Sequence, residues 1–318
     1  MRHNGVLIAA LLLVLVLGSV LLMRTSEAPL LIIITPTRDA LTRYSNLLVF
    51  ARMLAASRVA AQILWIVVED AAERDPAIEV LLRESGVRHH YLHQQTLAAP
   101  ASVHRGVEQR NTALDFVGTS DYEGIVYFAD GDNAYRPELW PQLLTLPADA
   151  FTVFAVGNLG YYGWEGPVVS RLAANPGDDS SNGPPLQVAV EQWCCDYCRR
   201  RWNVDMGGFA FHTSLLRPRD DEQRPPRFDL QSESGFLESD LLHRLENGGA
   251  STFVILPELV HRVHVWHNYG RPFHAAGLYD ADWTTEATIS QRLRNQSDTA
   301  RGFAWAEKDL PRARVLYS

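Results

Sequence analysis

Two aspartates one residue apart, Asp130 and Asp132 in Ala129-Asp130-Gly131-Asp132-Asn133, directly follow the apolar segment Gly124–Phe128 (GIVYF). Carboxylates spaced this way behind a buried strand can point into one crevice, one toward a divalent cation and one toward a ribose or a water. Hard oxygen ligands suit magnesium or manganese, and a cation held this way bridges a diphosphate. Asp-Gly is also an ordinary turn sequence; its place behind GIVYF favours the chemical reading. Arg105 and Arg110, in RGVEQRN, would stand near one entrance of the same sheet. Their guanidinium forks match phosphate and carboxylate oxygens, although a solvated helix face would carry the same residues. Glu238, in GFLESDLL, falls at the start of a short helix with Glu233 and Asp240 nearby. A carboxylate aimed into a crevice can deprotonate an alcohol, while a glutamate at a helix start also simply suits the helix dipole. His267 ends Val265-Trp266-His267 and could donate to a phosphate.

The elements that must position these groups follow from hydrophobic patterning. Leu30–Thr35 (LLIIIT) is predicted as a buried strand that stops at Pro36, followed by a helix from Leu41 to Ala56. Ile63–Val68 is a second buried strand ending in Glu69-Asp70, with a helix over Ile78–Glu84 and a short strand over Val87–Leu92. A helical stretch from about Arg105 to Phe116 leads to the strand Gly124–Phe128. This alternation predicts an α/β fold with right-handed βαβ units and a mostly parallel sheet. Ligands bind such sheets beyond the carboxyl ends of the strands. Three of those ends, Thr35-Pro36-Thr37, Glu69-Asp70 and Asp130–Asp132, carry acidic or turn chemistry and point to a nucleotide pocket. Further on, Phe151–Val156, Phe209–His212, Phe253–Leu256 and Val263–Trp266 read as strands and Leu237–Leu245 as a helix. No internal repeat and no strongly polar linker divides the chain, so its halves should share one body.

Composition narrows the function classes. With 318 residues, 47% of them hydrophobic, the chain can bury a full core, which excludes disorder. Three cysteines are too few for a disulfide scaffold, and a net charge of −8 argues against general nucleic-acid binding. All three, Cys194, Cys195 and Cys198, sit in WCCDYC. A half zinc site or a local disulfide would fit, but no second ligand pair lies at matching spacing, which favours an insertion with free or partly oxidised thiols. Val6–Met23 is an 18-residue run without a charge, preceded by Arg2 and His3 and followed by Arg24. Its length and the lack of an A-x-A site after it favour an uncleaved transmembrane signal anchor over a cleavable signal peptide. The sequon Asn295-Gln296-Ser297 is compatible with a lumenal remainder.

Taken in order, ITPT, WIVVEDA, HRGVEQRN, GIVYFADGDNAY, VGNLGYYGWEGPVVS, WNVDMGGFAF, GFLESDLL and VHVWHN resemble the β-1,3-glucuronyltransferases of glycosyltransferase family 43, which also holds plant xylan-synthesis proteins. The resemblance covers roughly residues 30–270. It implies the nucleotide-sugar glycosyltransferase A (GT-A) fold behind an N-terminal transmembrane helix, in a single-pass type II Golgi protein that can form a homodimer. On that pattern residues 1–5 are a cytoplasmic tail, 6–23 the anchor and 24–29 a short stem. Residues 30–150 form the UDP-sugar-binding half of the lumenal catalytic domain and 151–318 its acceptor-binding half. The resemblance also implies manganese dependence and transfer of glucuronic acid from UDP-glucuronate to a terminal galactose with inversion. By position, Pro36, Asp70, Arg105, Arg110, Asp130 and His267 would bind the donor, with Asp70 accepting from the uracil. Asp132 would ligate the metal, Glu165, Arg200 and Asp205 would hold the acceptor or the donor sugar, and Glu238 would be the catalytic base. Gly131 replaces the family's middle aspartate, Arg38 its usual tyrosine and Tyr269 its usual arginine after VWH. These departures keep open a UDP-xylose donor, as in the xylan branch, and a membrane-anchored scaffold subunit without turnover.

Overall fold

The computed structural model describes residues 28–96, 106–157, 164–171, 187–194, 200–217, 225–233, 235–247, 251–260, 262–267 and 312–315. Val6–Met23, Arg105, Cys195, Cys198, Tyr269 and the sequon lie outside them. Among the described residues no helix is long and apolar enough to cross a membrane.

Four strands form the parallel part of the sheet: β1 (Leu30–Thr37), β2 (Ile63–Glu69), β3 (His89–His93) and β4 (Gly124–Phe128), in the order β3-β2-β1-β4. Because successive residues on a strand face opposite sides, β1 feeds two cores. Leu31 and Ile33 pack with Leu47, Phe50 and Leu54 of helix α1 (Arg43–Ala55) and with Ile78, Leu81 and Leu82 of α2 (Pro76–Glu84). Ile32 and Ile34 pack on the other face with Val107, Leu114 and Val117 of α3 (Val107–Gly118). Helices on both faces explain why these strands read as continuous apolar runs. Helix α2 starts on Asp75, whose carboxylate accepts from the Ala77 N–H at 2.8 Å, with Pro76 in the first turn where its missing N–H costs nothing.

The remaining elements are β5 (Ala134–Tyr135), α4 (Leu139–Leu143), β6 (Ala150–Val153), β7 (Val156–Gly157), β8 (Trp164–Arg171), β9 (Gln187–Cys194), β10 (Phe209–His212), α5 (Leu237–Asn247), β11 (Thr252–Ile255), α6 (Pro257–Val260), β12 (Val265–Trp266) and β13 (Arg312–Val315). Among the described residues they extend the sheet to 13 strands, continuing from β4 as β10-β6-β11-β13-β9-β8-β7-β12-β5.

The expected mostly parallel sheet is therefore a mixed one. The runs β3-β2-β1-β4 and β6-β11-β13 are parallel, as is the pair β7-β12, but β10 runs antiparallel to both β4 and β6, and β8 antiparallel to β7 and β9. The strand–helix alternation ends after β4, and strands joined without a helical crossover are free to return antiparallel. β1 also runs past its expected stop, pairing Pro36 with Val68 and Thr37 with Glu69. Pairing with β4 ends at Ile34, so Pro36 lies on a one-sided stretch of ladder where a missing donor is tolerated.

Candidate active site

The carboxyl ends of β2, β1 and β4 lie side by side and bring Asp70, Pro36 and Asp130 to one edge of the sheet. The Asp70 N–H donates to the Thr37 carbonyl at 2.7 Å, tying the first two ends together. Glu69 is structural: it is buried, and its carboxylate takes the Arg43 guanidinium, the Tyr91 hydroxyl and the Asp75 N–H.

Helix α3 delivers Arg110 onto this edge. Its first residue follows Gly106, which holds a left-handed φ of +74°. A Cβ there would lie 2.8 Å from Arg110 Nη1 and 3.3 Å from Pro36 Cβ, so the absence of a side chain lets arginine and proline close on the turn. Arg110 is buried and donates through Nη2 to Asp130 Oδ1 at 2.6 Å. The Asp130 carbonyl in turn accepts from the Tyr135 hydroxyl at 2.8 Å. Asp130 is thus spent on Arg110, while Asp132 stands exposed at the end of the turn. Although its side chain reaches solvent, the Asp132 carboxyl is pushed up, first by the protein packed around it and then by the Asp130 charge.

A divalent cation would relieve that penalty, and the turn fits one held by a single protein carboxylate. Among the described residues no cluster of three or more histidine, cysteine or acidic side chains could cage a metal. Diphosphate oxygens and water would have to complete its shell, which is the usual arrangement for magnesium-like ions.

His267 bridges the turn after β4 and the segment that carries Asp205. Its backbone N–H donates to the Gly157 carbonyl at 2.9 Å, holding it at the end of β12. Nδ1 meets Asn133 Oδ1 at 3.0 Å and Nε2 meets Asp205 Oδ2 at 2.8 Å. Burial alone would lower the imidazole pKa, but the hydrogen bond to Asp205 and the charges of Asp205, Asp130 and Asp132 outweigh it, and the net shift is upward. Burial pushes Asp205 up, yet His267 and the Gly207 N–H, 2.9 Å from Oδ1, bring it below the usual carboxylate range. Both ring nitrogens of His267 are engaged within the protein.

On the far side, Arg200 is buried and donates through Nη2 to Glu165 Oε1 at 2.8 Å and through Nη1 to the Gly235 carbonyl at 2.7 Å. Gly235 lies in the turn before α5, and Glu238 follows in the first turn of that helix. Ser239 accepts from the Trp202 N–H at 3.2 Å, fastening α5 to the segment that carries Arg200. The Glu238 carboxyl is pushed up to about 7: burial raises it most and Asp205 adds to the shift, while Arg200 and Arg110 pull it back. Glu165 is also raised, by burial first, against the pull of Arg200. Charge coupling runs unbroken from Asp132 through His267 and Asp205 to Glu238.

Of the expected site residues, Pro36, Asp70, Arg110, Asp130, Asp132, His267, Glu165, Arg200, Asp205 and Glu238 are described and Arg105 is not. Pattern reading missed Asn133, Gly106 and Tyr135. Asn133 stands next to Asp132 in the sequence, yet nothing local shows that it faces a histidine 134 positions later.

The model of glycosyltransferase family 43 matches residues 53–270. The chain belongs to glycosyltransferase family 43. Within it, the chain is 32% identical over 238 residues to galactosylgalactosylxylosylprotein 3-beta-glucuronosyltransferase 3 of Homo sapiens, covering 68% of this chain and 64% of that protein. It is 31% identical over 238 residues to the human enzyme named with the number 1, covering 68% and 62%. The chain thus spans somewhat less than two thirds of the length of these family 43 relatives. Among solved structures, it is similar to a crystal structure of S. aureus TarS 1–349 in complex with UDP-GlcNAc, with a TM-score of 0.44 and 14% identity over 78% of this chain and 61% of that one.

Proposed function

We propose that this family 43 protein is an inverting, manganese-dependent glycosyltransferase with the GT-A fold. It moves glucuronic acid from UDP-glucuronate to a galactose-terminated glycan in β-1,3 linkage. The observation that carries the reading is the pair of acids linked through His267 and Asp205: Asp132 on the strand-end turn and Glu238, its carboxyl pushed up to about 7, on α5. The names of the relatives support the donor sugar and the acceptor class.

Glu238 takes the proton from the acceptor hydroxyl as that oxygen attacks the anomeric carbon opposite the UDP. A base with a pKa near 7 is matched to this task at neutral pH. One displacement inverts the centre, so no covalent nucleophile is needed. Arg110 and His267 place positive charge on the diphosphate side, fixed in advance by Asp130, Asn133 and Asp205. Asp132 would hold the manganese ion, which when bound neutralises charge on the diphosphate leaving group. Glu165 and Arg200, paired beside Glu238, would orient the acceptor.

We further propose that Val6–Met23 anchors the protein as a type II single-pass protein of the Golgi membrane, with the catalytic part lumenal; the uncharged 18-residue run supports this. UDP release measured with manganese, a galactose-terminated acceptor and a panel of donors tests the activity. Preference for UDP-glucuronate is expected. Preference for UDP-xylose would move the protein to the xylan-type reading, and no release with any donor would leave the scaffold reading.

A further inference from the structure

Asp70 is fixed by more than its place on β2. Its Oδ1 accepts from the Thr96 N–H at 2.7 Å and its Oδ2 from the Thr96 hydroxyl at 2.8 Å. The direction of the second bond is forced, because a carboxylate can only accept. The hydroxyl of Thr96 lies 3.1 Å from Gln109 Nε2, which also donates to the Gln94 carbonyl at 2.6 Å. A carbonyl too can only accept, so the Gln109 amide is oriented with its nitrogen toward Gln94 and Thr96. Protons therefore run one way, from Gln109 on α3 through the Thr96 hydroxyl to Asp70. Gln109 is fully buried, and among the described residues its Oε1 has no hydrogen-bond partner. Leaving a buried acceptor unsatisfied costs free energy, which marks the amide as held for its donor side. The backbone around Asp70 is equally constrained: its N–H is on Thr37, and the Gln94 N–H donates to the Glu69 carbonyl at 2.8 Å.

We infer that Thr96 and Gln109 are positioning residues that set the base selectivity of the nucleotide pocket, by holding the Asp70 carboxyl group turned to accept an imide N–H. The inference rests on the reading of Asp70 as the acceptor from uracil. A carboxylate has about four acceptor sites, and Thr96 takes two, leaving the others for a ligand. Uracil presents an N3–H to such a group, whereas cytosine presents a lone pair at N3 that a clamped carboxylate repels. A carboxylate free to rotate would lose part of that discrimination.

Calorimetry of the full chain with UDP and with CDP, in manganese, reads this directly. Wild type is expected to prefer UDP. Thr96→Val removes the hydroxyl but keeps the N–H, and should weaken UDP about five- to tenfold while changing CDP little, so that the UDP/CDP ratio narrows. Thr96→Ser, which restores the hydroxyl, should restore the ratio. Thr96 is exposed, and thermal melting verifies that both variants fold as wild type does. Asp70→Asn is the reference variant and should abolish the preference. If Asp70→Asn abolishes it but Thr96→Val keeps the wild-type ratio, the positioning role is overturned and the reading of Asp70 stands. If Asp70→Asn leaves the preference intact, the reading of Asp70 falls, and the role of Thr96 and Gln109 with it.

Discussion

At the scale of single residues, Glu238 carries two linked consequences. Its carboxyl is raised from 4.5 to about 7, chiefly by burial. The base must be ionised to work, so kcat/KM is expected to rise with pH through an acid limb near 7, and Glu238→Gln should remove turnover while UDP still binds. The sign for stability is the reverse. Between 4.5 and 7 the native state keeps a proton that the unfolded chain releases, so unfolding free energy falls as pH rises through that window and levels off above it. Glu238→Gln deletes this slope. Above pH 7 that variant should be more stable than wild type by on the order of 3 kcal/mol, with the difference vanishing below about pH 4.5, as read by urea melts across pH. Asp132 makes a separate prediction: Asp132→Asn should erase the enhancement of UDP binding by manganese, measured by titration with and without the ion. The variant Gly131→Asp is expected to fold, because a Cβ at Gly131 meets only ordinary contacts at 3.4 Å from Leu47 and 3.8 Å from Thr35.

At the scale of elements, the site depends on how close two backbones come to their neighbours. A Cβ at Gly157 would sit 2.2 Å from the Trp266 ring, and the Gly157 carbonyl holds the His267 N–H. Gly157→Ala should therefore part β7 from β12, shift His267 and weaken UDP binding several-fold, with an accompanying loss in a urea melt. Gly106→Ala forces a side chain into left-handed backbone, which costs roughly 1–2 kcal/mol, and presses on Arg110 and Pro36 as well. These dependences explain what could be read in advance. Gly124–Phe128 and Phe209–His212 have the bounds expected from their apolar runs, since burial on both faces leaves an unambiguous signal. Strands β8 and β9 were not legible: Gly166 and Pro167 interrupt the first, and its pairing with β9 has a bulge between Val168 and Val169. The placement of Asp130 and Asp132 at a strand end and of Glu238 at a helix start was legible because each sits in a short motif. The bonds of Asn133 and Thr96 were not, because their partners are brought near only by the folded sheet.

At the scale of the whole molecule, the parallel edge of β2, β1 and β4 gathers Asp70, Pro36 and Asp130, and the segments after β7 supply His267 and the groups assigned to the acceptor. His267 joins the two, meeting Asn133 of the turn after β4 at 3.0 Å and Asp205 at 2.8 Å. Removing manganese with a chelator should abolish transfer, and restoring the ion should recover it. The central claim is a single displacement with Glu238 as the base. Proton NMR of the transferred sugar, made from UDP-glucuronate and a galactose-terminated acceptor by wild type and by Glu238→Gln, tests it most directly. A β-linked product from wild type and none from the variant is the expected result. An α-linked product, or undiminished transfer by Glu238→Gln, would contradict it.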